Sequence, residues 1–331
     1  MKTILVTGAG GFIGSHFVEL FYKTHHLILM DSFVHKGLYS RLDEILPKDY
    51  LPFIIRHDLN CPIDDYLINK ISTSINSGDK LDIVNFASDS AVERSISNPG
   101  ACWNNNCNLI LNVLEMARKL KEKGYLRRIL HVSTDEVISD SMEYKKEWAV
   151  HRPSNIYSAS KSAQEALCYS YWRTYDLPII ITNCVNNYGF RQDIEKFIPL
   201  VIKNLLYNKP LLVYLDKEGK IGKRYYLHAY DHCLAIKKLL TSTDLDKDDL
   251  TKYNICGGEE YGNDEVINII AAYMNRKPIL TYIKPEHRKG YDSCYKIDDS
   301  KIHNIGWLPL YSFNSIQDII KHSLNNTHWI S

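Results

Sequence analysis

The chain has 331 residues, 45% of them apolar and 24% charged, with a formal net charge of +1. These values fit a globular protein of one large or two modest domains, and they exclude a charge-driven nucleic-acid binder and an acidic tail. No run reaches the roughly eighteen apolar residues of a membrane span, and the apolar start is too short for a signal-peptide core, so the protein is expected in the cytoplasm. The eight cysteines contain no Cys-x-x-Cys and the thirteen histidines no His-Glu-x-x-His. Buried free thiols are expected, and no metal site.

Thr3-Ile4-Leu5-Val6-Thr7 is a β-branched run that predicts a strand, and Gly8-Ala9-Gly10-Gly11-Phe12-Ile13-Gly14 follows at once. Ile13, Phe17, Leu20 and Phe21 then recur at helical spacing. Strand, glycine turn and helix are the setting of a dinucleotide fingerprint, although the spacing is Gly-x-x-Gly-x-x-Gly. Glycines let the backbone approach a pyrophosphate, whose charge a helix N-terminus stabilises. A plain tight turn is the alternative. Leu27 to Met30 is a second strand ending at Asp31, placed to bind ribose hydroxyls and to repel a 2′-phosphate, which favours NAD over NADP. The third strand, Phe53 to His57, ends at Asp58 and Leu59, in reach of an adenine. The fourth, Leu81 to Ala87, has small and polar residues after it, and a helix follows near 105–122.

The fifth strand, Arg128 to Val132, runs into Ser133-Thr134-Asp135-Glu136. Ligands of an open parallel sheet lie beyond the carboxyl ends of its strands. Adjacent carboxyls there serve chemistry if one stays protonated and the other ionised. Ser, Thr and Asp are also ordinary cap residues, so a cap remains the alternative. Tyr157 and Lys161 fall at i and i+4 on a helix near 157–174 and project from one side. An ammonium beside a phenol lowers the phenol's pKa, which suits a base that takes an alcohol's proton. Alone, such a pair is common on helix surfaces.

Ile179 to Cys184 is a sixth strand, so the alternation up to this point predicts a Rossmann-type doubly wound parallel sheet over 1–185. A segment at about 225–256 returns to that sheet, and 186–331 is mainly a smaller α/β substrate-binding domain. Within it Asn186 to Gly189 reads as a polar turn, Ile194 to Tyr207 as a helix and Leu211 to Tyr214 as a strand. Arg224 to Leu227 leads into a further helix, and Asn254 sits in the returning strand. Helices near 264–274 and 315–324 flank a strand at 279–283. The loop Lys284 to Tyr295 carries His287, Arg288 and Lys289, which with Arg224 and Lys196 are placed to hold a second diphosphate. Solvated surface charge is the usual role of such residues.

Together these motifs resemble the extended short-chain dehydrogenase/reductases, and among them the dTDP-glucose 4,6-dehydratases. Thr7 to Gly14 is similar to the family's cofactor turn, Val132 to Val137 to its catalytic signature, and Tyr157-Ser158-Ala159-Ser160-Lys161 to its tyrosine–lysine helix. Asn186 to Gly189 with Glu195 to Pro199, and Arg288 to Asp292, resemble its sugar-nucleotide segments. The resemblance implies bound NAD held by Gly8, Gly11, Phe12, Ile13, Gly14, Asp31, Asp58, Leu59, Ala87, Tyr157 and Lys161. It implies a nucleotide-sugar substrate held by Ser90, Arg94, Asn187, Lys196, Arg224, Asn254, Arg288 and Tyr295. The implied cycle starts as hydride leaves C4 of the glucosyl unit for NAD and Tyr157 takes the hydroxyl proton. Lys161 keeps the tyrosine acidic, and Thr134 bonds the C4 oxygen. Glu136 removes the C5 proton, Asp135 protonates the departing C6 hydroxyl, and hydride returns to C6 as a proton goes back to C5. A homodimer through the helices near 105–122 and 157–174 is also implied.

Several positions depart from the family pattern. Ala91 stands for a histidine, Ile138-Ser139 for Tyr-Gly, Lys289 and Tyr291 for proline and histidine, and Tyr225-Tyr226 for Asp-Trp. Two rivals share much of the pattern. A nucleotide-sugar 4-epimerase uses the glycine turn, Tyr157 and Lys161 but has no need of Asp135 and Glu136. A non-catalytic NAD-binding regulatory protein on the same fold needs none of the four side chains.

Overall fold

The computed structural model describes residues 2–34, 38–50, 53–138, 140–242, 250–284 and 290–330. Short apolar runs become strands because a sheet covered on both faces buries every residue along them. β1 (Thr3–Thr7), β2 (His26–Asp31), β3 (Phe53–Arg56), β4 (Leu81–Asn85), β5 (Leu126–Thr134), β6 (Ile179–Cys184) and, far along the chain, β10 (Thr251–Ile255) form one seven-stranded sheet. Its order is β10-β6-β5-β4-β1-β2-β3 and every pair is parallel. Successive strand residues serve opposite layers. Ile4 and Val6 pack in the cluster that holds Phe17, Phe21 and Ile236, from α1 (Phe12–Phe21) and α8 (Ala229–Thr241). Leu5 belongs to the other cluster, with Ile68, Ile110 and Cys168, from α3 (Asp65–Ser74), α5 (Pro99–Glu122) and α6 (Ile156–Tyr175). This is the doubly wound sheet expected from the alternation. Strand order reverses between β1 and β4, which opens a crevice there.

The second unit is smaller. β7 (Asn186–Tyr188), β9 (Lys223–His228) and β11 (Glu259–Gly262) make a three-stranded sheet, and β8 (Leu211–Tyr214) pairs in parallel with β12 (Leu280–Ile283). α7 (Phe197–Leu206), α9 (Asn263–Tyr273) and α11 (Ile316–Asn325) close a third core around Val201, Ile267, Phe313 and Ile320.

Local differences from the sequence reading have local causes. Asn186 to Tyr188 is a strand, not a turn: it pairs in parallel with β9, and the Asn187 side chain folds back onto Val185 O at 2.9 Å. Arg224 to Leu227 lies inside β9. α5 starts at Pro99 rather than near 105, because Asn98 accepts a hydrogen bond from Ala101 N and proline suits a first helical turn. α2 (Leu38–Ile45), α3 and the six-residue α4 (Val92–Ser97) are helices that the sequence reading did not include. Among the described residues no helix is long and apolar enough to cross a membrane, and no group of three His, Cys, Asp or Glu could hold a metal ion.

Candidate active site

At the end of β1 the backbone turns through Gly8 with φ +70°. A Cβ at Gly8 would lie 2.6 Å from Ala87 N, and one at Gly14 would run into the Gly8 carbonyl oxygen. Only glycine lets β1, the end of β4 and the start of α1 come this close. α1 begins after Gly11 with no side-chain cap and no acidic residue in its first turn. Its first N–H groups, Phe12 and Ile13 among them, are therefore open to an anion at the positive end of the helix dipole. Asp31 is buried at the end of β2, where its oxygens accept Gly10 N and Phe33 N, each at 3.0 Å. Beyond β3, exposed Asp58 accepts from Asn60 N at 2.9 Å, and the buried Leu59 accepts Asn112 Nδ2 at 2.7 Å on its carbonyl. A cradle that any side chain would fill, open donors and a neighbouring carboxylate suit a dinucleotide with free ribose hydroxyls.

Beneath this turn a polar relay crosses the sheet. Thr7 Oγ1 donates to Asn85 Oδ1 at 2.5 Å, and Asn85 Nδ2 meets His131 Nδ1 at 2.9 Å. Burial first, then Lys161, keeps His131 neutral. The polar residues inside otherwise apolar strands are the sequence signal for this row.

β5 carries Thr134, and one 3-10 turn, Asp135–Val137, follows. Thr134 Oγ1 accepts Glu136 N at 3.3 Å, so it does cap this turn, and it donates to Asp135 Oδ1 at 3.2 Å. The two carboxyls end at different depths. Asp135 is buried, Glu136 half-buried. Burial, then the Glu136 charge, pushes the Asp135 carboxyl up to about 7, against Arg224 and Thr134. Burial raises Glu136 too, while Arg224, Asn155 and Lys196 act to keep it ionised. Asp135 is thus the carboxyl held protonated near neutral pH.

α6 starts at a capping box: Asn155 Oδ1 accepts Ser158 N at 2.9 Å, and Asn155 N donates to Ser158 Oγ. Asn155 Nδ2 also reaches Glu136 Oε2 at 3.4 Å. One side chain therefore fixes both the helix start and the outer carboxylate. Tyr157 and Lys161, one helical turn apart, are both buried. The phenol is not lowered here. Burial, then Glu136, Cys184 and Asp135, holds Tyr157 well above the usual tyrosine range, with Thr134 pulling the other way. Lys161 Nζ instead donates to Val132 O at 2.8 Å and Gln164 Oε1 at 2.7 Å, and burial pushes it down to about 8.

The expected substrate residues divide. Arg224 donates to Ser293 O at 2.9 Å and Asp292 O at 2.5 Å, lies 4.8 Å from the Tyr295 ring and acts on both acids. The Tyr295 hydroxyl donates to the Asp292 carboxylate, as does Ser154. Lys196 Nζ donates to Ser90 O at 2.6 Å and Ser90 Oγ at 3.0 Å, and Arg94 grips Asp89 with two nitrogens. Asn187 Oδ1 pairs with His232 Nδ1 at 3.0 Å. Asn254 is fully buried, and its amide donates to Lys145 O and Asp298 O, each at 3.0 Å. Those bonds tie β10 to two loops, so the asparagine anchors a strand and offers no free donor to a sugar nucleotide. Arg288, with His287 and Lys289, lies outside the described residues. Asn155 and Asn183, whose amide donates to Thr134 O at 2.9 Å, are the members of this site that no motif singled out.

The profile of the GDP-mannose 4,6-dehydratase family matches residues 5–319. A dTDP-glucose 4,6-dehydratase of Xanthomonas campestris pv. campestris is 34% identical over 100% of this chain and 95% of its own length. A crystal structure of a dTDP-glucose 4,6-dehydratase from Streptomyces venezuelae with NAD bound superposes with a TM-score of 0.85 at 30% identity, covering 99% of this chain and 98% of that one. A UDP-glucose 4-epimerase of Thermus thermophilus, also solved with NAD, reaches 0.81 at 25% identity, with 97% and 98% covered.

Proposed function

The chain belongs to the nucleotide-sugar 4,6-dehydratase family, and from that premise we propose that it dehydrates glucose carried on dTDP, with UDP-glucose as the other candidate. The protein is an NAD-dependent hydro-lyase. Its product is the 4-keto-6-deoxyglucose nucleotide, a deoxysugar precursor. NAD, when bound, supplies a reversible store for the two electrons that leave C4 and return at C6. Gly8, Gly11, Phe12, Ile13, Gly14, Asp31, Asp58, Leu59 and Ala87 are the residues we assign to holding it, with Lys161 on a ribose.

The chain's own side chains then divide the proton transfers. Tyr157 takes the proton of the C4 hydroxyl, and Thr134 Oγ1 holds the C4 oxygen. With its phenol held high, Tyr157 needs a cation to act as a base, and Lys161 is the nearest on its helix. The ketone formed at C4 acidifies the C5–H, whose proton goes to Glu136. Asp135 gives its proton to the C6 hydroxyl, which departs as water, and Glu136 gives a proton back to C5 as C6 is reduced. Arg224, Tyr295, Lys196 and Ser90 are assigned to the sugar nucleotide.

One observation carries this reading over a 4-epimerase: two adjoining carboxyls, the inner one buried and raised to about 7, the outer one flanked by Arg224 and Asn155. Epimerisation at C4 has no step for them. The test is incubation with each sugar nucleotide. A product lighter by one water supports the reading, and an unchanged mass with both substrates contradicts it. The same proposal takes 1–185 with the returning segment as the NAD half and 186–331 as mainly the sugar-nucleotide half. It pairs two copies through α5 and α6, where Trp103, Leu111, Tyr169 and Tyr175 are exposed.

A further inference from the structure

Glu165 lies on α6 one helical turn beyond Lys161, and it turns inward to the sheet. Its Oε1 accepts Ser133 Oγ of β5 at 2.6 Å and Asn183 Nδ2 of β6 at 2.7 Å. Its Oε2 accepts Lys252 Nζ of β10 at 2.6 Å. One carboxylate thus fastens β5 and β6 near their carboxyl-terminal ends, and β10 near its start, to the helix that carries Tyr157 and Lys161. Ser133 immediately precedes Thr134, and the same Asn183 amide also donates to Thr134 O. Glu165 is 4% exposed and Lys252 0%, so neither charge is shared with solvent. The Trp148 ring covers the ammonium at 5.2 Å. His151, hydrogen-bonded to Ser162 through Nδ1, brings Nε2 to 3.5 Å from Glu165 and 3.4 Å from Lys252 Nζ, and burial keeps it neutral.

A buried carboxylate without its cation is strongly unfavourable, and it relaxes by moving or by taking up a proton. Either change would release Ser133 and Asn183 and shift the strand tip against the helix. The catalytic groups divide across that junction: Thr134, Asp135 and Glu136 stand on the strand tip, Tyr157 and Lys161 on the helix. We propose that Lys252 and Glu165 are positioning residues whose buried ion pair sets the distance between the two halves of the catalytic machinery. Neither touches the sugar nucleotide. Lys252 acts by holding Glu165 in place, and Glu165 acts by holding Ser133 and Asn183. No atom is transferred.

This inference rests on the dehydratase reading, so the wild-type turnover is measured first. If the wild-type protein forms no dehydrated product, that reading fails before the pair is tested. With an active wild type, Lys252→Met lowers kcat by about tenfold or more, since an ångström of misplacement can cost on the order of a hundredfold. The KM for the sugar nucleotide and the affinity for dTDP, read by calorimetry, stay within about twofold, because uniform binding is untouched. Glu165→Gln with Lys252→Met removes both charges and restores kcat to within about fivefold of wild type, a coupling that independent sites do not show. Lys252→Arg, which keeps the cation, also remains active. If Lys252→Met alone does not fold, the double variant is read in its place. Recovery of folded, active protein supports the pair, and continued failure overturns it. The proposal is equally overturned if Lys252→Met keeps wild-type kcat, or if the two substitutions simply add.

Discussion

The glycine turn and the tip of β5 lie at the same end of one sheet and work in opposite ways. At the turn, function comes from what the side chains leave out. Gly8 and Gly14 have no room for a Cβ, and the groups offered to a ligand are backbone N–H donors. At the tip, function comes from what the side chains add: two carboxyls, a hydroxyl, a phenol and an ammonium close together, where Glu136 raises Asp135 and both carboxyls raise Tyr157. The turn is therefore sensitive to volume and indifferent to pH. The tip tolerates isosteric change in its fold while its chemistry depends on charge.

Substitutions separate the two behaviours. Tyr157→Phe has the largest effect, a fall in turnover of about 10²–10⁴ for loss of a positioned base. The check is the absorbance of reduced cofactor after mixing with substrate. A wild-type rate of reduction would remove Tyr157 from its role. Asp135→Asn keeps the geometry and removes the acid, so C4 is oxidised and elimination stalls. Turnover falls by about 10²-fold, and a keto sugar that has not lost water accumulates, read by mass. In the wild type the elimination slows as pH rises through about 7, the value to which Asp135 is raised.

Gly14→Ala tests the other end. The added methyl meets the Gly8 carbonyl, so the purified protein carries less NAD and loses roughly 1–3 kcal/mol of stability, with no change in the pH profile of the remaining activity. A variant with full cofactor content would contradict the tight-cradle account. The smallest effect sharpens the contrast. Asp135 has a folded value of about 7 above its ordinary 3.8, so the folded state binds a proton that the unfolded chain has released. Its ionisation costs nothing below about pH 4 and its full amount above about pH 7. Asp135→Asn should therefore match wild type in denaturant melts at pH 4 and exceed it by roughly 1–3 kcal/mol at pH 8.

Much of this was legible because the signals are local. The glycine turn, Asp31 and the run Ser133 to Glu136 each lie within a few residues of a strand end, and Tyr157 and Lys161 within one helical turn. The strands β1 to β6 followed from short apolar runs, and their doubly wound parallel sheet from alternation, whereas their order across the sheet did not. Contacts made across the fold were not legible. Asn155 caps a helix, as its residue type suggests, yet it also holds Glu136. Glu165 and Lys252 lie 87 residues apart, and nothing in either neighbourhood announces the other. Asn254 reads as a polar residue near a ligand and proves to be a strand anchor, because its carbonyl partners come from residues 145 and 298. The expected lowering of Tyr157 by Lys161 failed for a related reason. Spacing gives the side of a helix but not the depth of burial, and burial with the nearby carboxyls holds the phenol high.

The central claim is that a hydrogen removed from one carbon of the sugar is restored to another after water has left, with the carboxyl pair performing the dehydration between. The direct measurement uses dTDP-glucose carrying deuterium at C4, with the product analysed by mass and by NMR. A product lighter by one water, with the label in its new C6 methyl group, is the expected result. A product of unchanged mass, or a methyl group without the label, would contradict the account.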